Sequence, residues 1–200
     1  MNRLNRVYLI RHGQVNGYED FPVYGHTDVD LTETGILQMD HMAERLRYTE
    51  IHAIYGSNLK RSAAGARIIA RYHDAPVRLL PELREMFFGD WEGRTLAQIQ
   101  DQYPAELKRR QQNLLDFEAP GGGEPLLEFD ERIGRCFKQI RSESQGKNAV
   151  IVAHGGVNRI VLCRALGLDL TRMFSLHQDY GCLNIIDYFP DFELIRLVNG

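Results

Sequence analysis

Two stretches of this 200-residue sequence end alike. Val7-Tyr8-Leu9-Ile10 runs into Arg11-His12-Gly13, and Ala149-Val150-Ile151-Val152-Ala153 runs into His154-Gly155-Gly156. A single histidine at a strand end is most often a hydrogen-bonded structural residue. Two of them in matching settings, one beside an arginine, suggest a site. Arg61 adds a second guanidinium at the opening of a predicted helix. Guanidinium forks match phosphate oxygens bidentately, and helix N-termini offer free N–H groups at a positive dipole end. Two imidazoles, two guanidiniums and a helix N-terminus suit a tetrahedral dianion. A zinc site built from His12, His154 and Glu85 is disfavoured, because the flanking arginines would repel a divalent cation. No metal and no cofactor is expected.

The elements that must position these groups follow from pattern. Both apolar runs lack polar alternation, as strands covered on both faces do. Open α/β sheets bind ligands at the carboxyl ends of such strands. Thr32 is a candidate N-cap for a helix with Met39, Met42, Ala43 and Leu46 at helical spacing. Residues 51–55 and 77–80 read as strands, with a helix from about 60 to 72 between them. Residues 82–93 mix carboxylates, aromatics and glycines, the composition of a site loop. Residues 96–115 read as one or two helices broken near Pro104. The run Leu126, Phe129, Ile133, Phe137 and Ile140 is amphipathic. Residues 157–166 form a further helix that Gly167 ends, and 182–188 with 194–198 form a hairpin. Alternating strands and helices predict a three-layer α/β/α sandwich: a mainly parallel sheet with helices on both faces, in one domain over residues 1–200.

Composition narrows the function classes. A net charge of −3 argues against a broad nucleic-acid or membrane-binding surface. No run of 18 apolar residues is present, and the apolar stretch after Met1–Arg6 is too short for a signal peptide. Cys136, Cys163 and Cys182 are odd in number and widely spaced, which suggests reduced thiols and a cytoplasmic protein. The partner expected is a small molecule, with no nucleic acid and no membrane; a homodimer is left open.

The motifs resemble those of the histidine phosphatase superfamily, also called phosphoglycerate-mutase-like. Leu9-Ile10-Arg11-His12-Gly13 resembles its first signature, and Gly25-His26-Thr27-Asp28 with Leu31-Thr32-Glu33-Thr34-Gly35 its loop and helix start. Ser57-Asn58-Leu59-Lys60-Arg61-Ser62-Ala63 resembles its second arginine motif, residues 82–93 its acid loop, and Val152-Ala153-His154-Gly155-Gly156 its second histidine motif. Five motifs in order are specific, where one alone is weak. The wording from Glu85 to Glu92 is particularly similar to the alpha-ribazole phosphatase branch.

The resemblance implies a phosphomonoesterase with a phosphohistidine intermediate and a small phosphate ester as substrate. That branch implies alpha-ribazole 5′-phosphate, in cobalamin biosynthesis; a broad sugar or small-molecule phosphatase and a phosphoglycerate mutase are the alternatives. Carried onto this chain, His12 is the nucleophile, and Arg11, Arg61 and His154 hold the phosphoryl oxygens. Glu85 is the general acid and base, preferred over Glu82 by motif register. Gly25, His26, Thr27 and Gly155 are substrate contacts. The family's usual Asn six residues after the nucleophile is Tyr18 here, which makes Asn16 the candidate phosphate contact. Trp91 and Phe88 are expected to pack rather than stack on substrate, and Lys108-Arg109-Arg110 to form a solvated face.

Overall fold

The computed structural model describes residues 3–20 and 22–200. Met1 and Asn2, which open the segment ahead of the short apolar run, and Phe21 lie outside the described residues.

Six strands make one sheet in the order β3-β2-β4-β1-β5-β6. They are β1 (Asn5–Arg11), β2 (Ala53–Gly56), β3 (Val77–Leu79), β4 (Asn148–Ala153), β5 (Leu183–Tyr188) and β6 (Glu193–Leu197). The first four are mutually parallel; β5 runs antiparallel to β1, and β6 to β5. This is the mainly parallel α/β/α sandwich expected from the alternation of elements.

The two-residue period of a strand explains the layers. On β1, Val7 and Leu9 face one core with the inner residues of α5 (Leu126–Glu143) and α6 (Gly155–Leu166). Tyr8 and Ile10 face the other, against α1 (Glu33–Leu46) and α2 (Lys60–Ala70). β4 divides likewise, with Ile151 on the first side and Val150 and Val152 on the second. Leu9, Ile10, Ile151 and Val152 are fully buried, each side chain stabilising the fold by roughly 1.5–3 kcal/mol relative to exposure. A strand covered on both faces must be apolar throughout, which is what the sequence shows.

The helix ends obey local chemistry. The Thr32 hydroxyl accepts from the Gly35 N–H at 2.9 Å and starts α1. α3 (Leu96–Gln102) opens on a Thr95/Gln98 capping box, and Pro104 divides it from α4 (Pro104–Gln112). Gly167, at φ 62°, ends α6 in the left-handed region that favours glycine. α6 starts two residues earlier than its apolar pattern suggests, because His154 is extended and acts as its N-cap. A short 3-10 turn at Leu170–Ser175, capped by Asp169, has no periodicity that would reveal it in the sequence. Residues 14–30 are anchored by bridges from Val15 to Leu31 and from Pro22 to Thr95.

Candidate active site

Strand register builds the centre of the site. Arg11 of β1 lies level with Ala153 of β4, and the His12 N–H donates to the Ala153 carbonyl at 3.0 Å. The residues that follow, His12 and His154, therefore leave the sheet side by side. Their rings meet edge to face with centroids 5.1 Å apart. Both are buried.

Hydrogen bonding fixes the state of His12. Its Nδ1 lies 2.8 Å from the Gly13 carbonyl, which can only accept. Nδ1 therefore carries a hydrogen, and in the neutral ring Nε2 is the nitrogen that presents a lone pair. Burial holds the imidazole well below its usual pKa, and the positive charges of Arg61 and Arg11 push the same way. His154 is likewise held low, first by burial and then by Arg61. Its Nε2 is 2.7 Å from the Ser57 hydroxyl.

The guanidiniums are positioned by backbone and by an aromatic face. Arg61, in the first turn of α2, is 1% exposed. It donates to the Thr27 and Gly25 carbonyls, both at 2.7 Å. Arg11 donates to the Gln178 carbonyl at 2.6 Å and lies 3.9 Å from the centre of the Tyr180 ring. Its Nε and the Nδ1 of His154 are buried without a hydrogen-bond partner in the protein.

Glu85 comes from the loop after β3. Its Oε1 accepts from the Met86 N–H at 2.9 Å and its Oε2 from the Gly156 N–H at 2.8 Å. A cavity of about 120 Å³ is lined by His12, Arg11, Arg61, Glu85 and Arg159, with Tyr24 and Tyr180 at its wall. Three guanidiniums against one carboxyl give it a positive character. A larger groove of about 620 Å³, bordered by Phe137, Arg141 and Arg164, contains none of these groups. Among the described residues, no three His, Cys, Asp or Glu are grouped to hold a metal.

The structure thus gathers Arg11, His12, Arg61, Glu85 and Gly155 around one cavity and packs His154 against His12. It does not bring the other candidates there. Asn16 is exposed, because its N–H pairs with the Asp30 carbonyl and that bridge turns the side chain outward. Gly25, His26 and Thr27 stand behind Arg61, their N–H groups donating to the Glu92 carboxylate at 3.3, 2.8 and 2.7 Å. His26 packs on Phe87. Glu82 is exposed, outside the cavity lining. Residues not singled out by the sequence are Ser57, Glu92, Arg159, Tyr24 and Tyr180. Arg159 had a signal: it lies one helical turn after Gly155.

Comparison with known proteins agrees with this geometry. The profile of the histidine phosphatase superfamily (branch 1) matches residues 7–200. The adenosylcobalamin/alpha-ribazole phosphatase of Escherichia coli (strain K12) is 31% identical over 195 residues, covering 98% of this chain and 96% of the relative. The phosphoglycerate mutase-like protein 4 of Arabidopsis thaliana is 33% identical over 161 residues, covering 80% and 70%. The crystal structure of the alpha-ribazole phosphatase from Shigella flexneri superposes with a TM-score of 0.87 at 31% identity, covering 98% and 96%. With paired histidines at the level ends of two parallel strands, and a profile that spans nearly its whole length, the chain belongs to the histidine phosphatase superfamily and is a phosphoric monoester hydrolase.

Proposed function

We propose that the protein hydrolyses its ester through a phosphohistidine on His12. The observation that carries this is the 2.8 Å contact between His12 Nδ1 and the Gly13 carbonyl. A neutral imidazole with Nδ1–H tied to Gly13 leaves Nε2 free to attack phosphorus. A P–N bond forms as the P–O bond to the leaving alcohol breaks. Arg11 and Arg61 offset the charge on the phosphoryl oxygens, with His154 beside them; positioning and charge stabilisation dominate phosphoryl transfer. Glu85 gives its proton to the leaving oxygen. It then takes one from the water that attacks the phosphohistidine, and inorganic phosphate leaves. The unpartnered Arg11 Nε and His154 Nδ1 support an anion subsite, since buried polar atoms are seldom without a partner. Residues 1–200 are read as a single catalytic domain, a reading supported by the first and last strands lying in one sheet.

The substrate proposed is alpha-ribazole 5′-phosphate. Similarity of about 30% over nearly the full length of alpha-ribazole phosphatases supports it. A turnover panel of alpha-ribazole 5′-phosphate, sugar phosphates and 3-phosphoglycerate tests it. Expected is a kcat/KM at least about tenfold higher for the ribazole ester, roughly 1.4 kcal/mol of discrimination. Equal turnover across the panel would remove this substrate and leave a general phosphatase.

A further inference from the structure

Where the leaving alcohol goes is fixed by Glu85. The carboxyl that protonates the departing oxygen must touch it, so the rest of the leaving group begins at Glu85. Glu85 and Arg159 line two adjoining cavities, the phosphate-sized one and a second of about 120 Å³. The second has a different character. Six aromatic side chains, Phe87, Phe88, Trp91, Phe117, Phe129 and Phe174, line it. Arg110 of α4 and Met173 of the 3-10 turn at Leu170–Ser175 also line it.

Arg110 departs from the sequence expectation. Lys108 and Arg109 are solvated, but Arg110 is half-buried, and burial alone pushes its guanidinium below the ordinary value. Its guanidinium lies 5.7 Å from the Phe174 ring centre, and that of Arg159 lies 5.8 Å from it. Guanidiniums that stack on one aromatic face can present the other to a guest ring. Phe174 itself is 56% exposed at the rim. The lining holds two guanidiniums, Arg110 and Arg159, and two carboxylates, Glu85 and Glu124, the latter paired with Arg132 at 2.6 Å, so its charges are matched in number and do not by themselves call for an anionic guest.

We propose that this chamber is the leaving-group site, and that it takes a flat apolar aromatic ring carried by the alcohol, with Phe174 and Arg110 as specificity-determining residues. The size agrees: an apolar cavity of about 150 Å³ holds benzene, so about 120 Å³ open at one side takes one six-membered ring or the edge of a fused pair. The proposal rests on the phosphatase reading for the position of Glu85 relative to substrate, but not on the identity of the substrate.

The test compares 2-phenylethyl phosphate, n-propyl phosphate and 3-phosphoglycerate on the purified protein. Both simple esters release alcohols of similar acidity, so their difference reads the ring and not the leaving ability. Expected is a kcat/KM about tenfold to a hundredfold higher for the phenylethyl ester, carried by KM, the worth of burying one ring. Phe174→Ala should bring that ratio near one. A ratio near one in the unaltered protein, or a preference for 3-phosphoglycerate, overturns the proposal, the latter by making Arg110 and Arg159 a carboxylate site. A second measurement needs no turnover. Trp91 is the only tryptophan in the sequence and lines the chamber. 2-Phenylethanol should change its emission saturably, with a midpoint at least about tenfold higher in Phe174→Ala. If no ester is turned over, the phosphatase reading fails and the Trp91 titration alone decides the chamber; no saturable change there overturns it.

Discussion

The carboxyl of Glu85 occupies the space that a side chain on residue 156 would need. A Cβ built on Gly156 would overlap Oε1 of Glu85, while the Gly156 N–H donates to Oε2 at 2.8 Å. The second histidine motif therefore supplies an imidazole and also seats the candidate acid from a loop seventy residues away.

Gly156→Ala should separate catalysis from folding. Alanine is a better helix former than glycine in α6, so the helix content and melting temperature should hold. Turnover should fall by about a hundredfold or more, the typical contribution of a displaced general acid. An alanine variant with unaltered kcat would contradict the assignment of Glu85.

Glu92 acts on the site through backbone. It accepts from the N–H groups of Gly25, His26, Thr27 and Phe88, and from the Thr27 hydroxyl. The carbonyls of Gly25 and Thr27 in turn hold Arg61. Glu92→Gln turns an NH₂ group toward those donors. Denaturant unfolding should show a loss of about 2–3 kcal/mol, and inorganic phosphate should bind more weakly as Arg61 loses its seat. Unchanged stability would mean that the loop holds Arg61 without Glu92.

The convergence of Arg11, His12, Arg61 and His154 was legible in the sequence because each sits at the end of a regular element. Strand register then does the rest. What lay in loops was not legible. Asn16 and the Gly25-His26-Thr27 turn are placed by the Asn16–Asp30 bridge and by Glu92, contacts that no local pattern encodes. Tyr180 reaches Arg11 from 169 residues away, and nothing in the charge run Lys108-Arg109-Arg110 encodes the Phe174 ring whose centre lies 5.7 Å from the Arg110 guanidinium. The fold class, set by apolar runs and helical spacing, needed no such long-range information.

The two buried imidazoles make stability pH-dependent. Each is held well below 6.5 when folded, by burial and by the neighbouring guanidiniums. Below pH 6.5 the unfolded chain binds protons that the folded chain does not, so stability should fall as pH drops. The slope is up to about 1.4 kcal/mol per pH unit for each ring. Melting temperature measured without phosphate should therefore decline more steeply from pH 7 to pH 5 in the unaltered protein than in a His12→Gln, His154→Gln double variant. Equal slopes would show that the rings are not held neutral. Because burial and the neighbouring guanidiniums hold His12 well below its usual value, its ionisation should put no acid limb on kcat/KM between pH 6 and 8.

The phosphohistidine is the step on which the catalytic roles depend. Rapid quenching during turnover, followed by mass analysis of the peptides at alkaline pH, should find one HPO₃ unit on the peptide carrying His12. His12→Ala should show neither the added mass nor hydrolysis. Added mass on another residue, or full turnover by His12→Ala, would contradict the assignment of His12 as nucleophile.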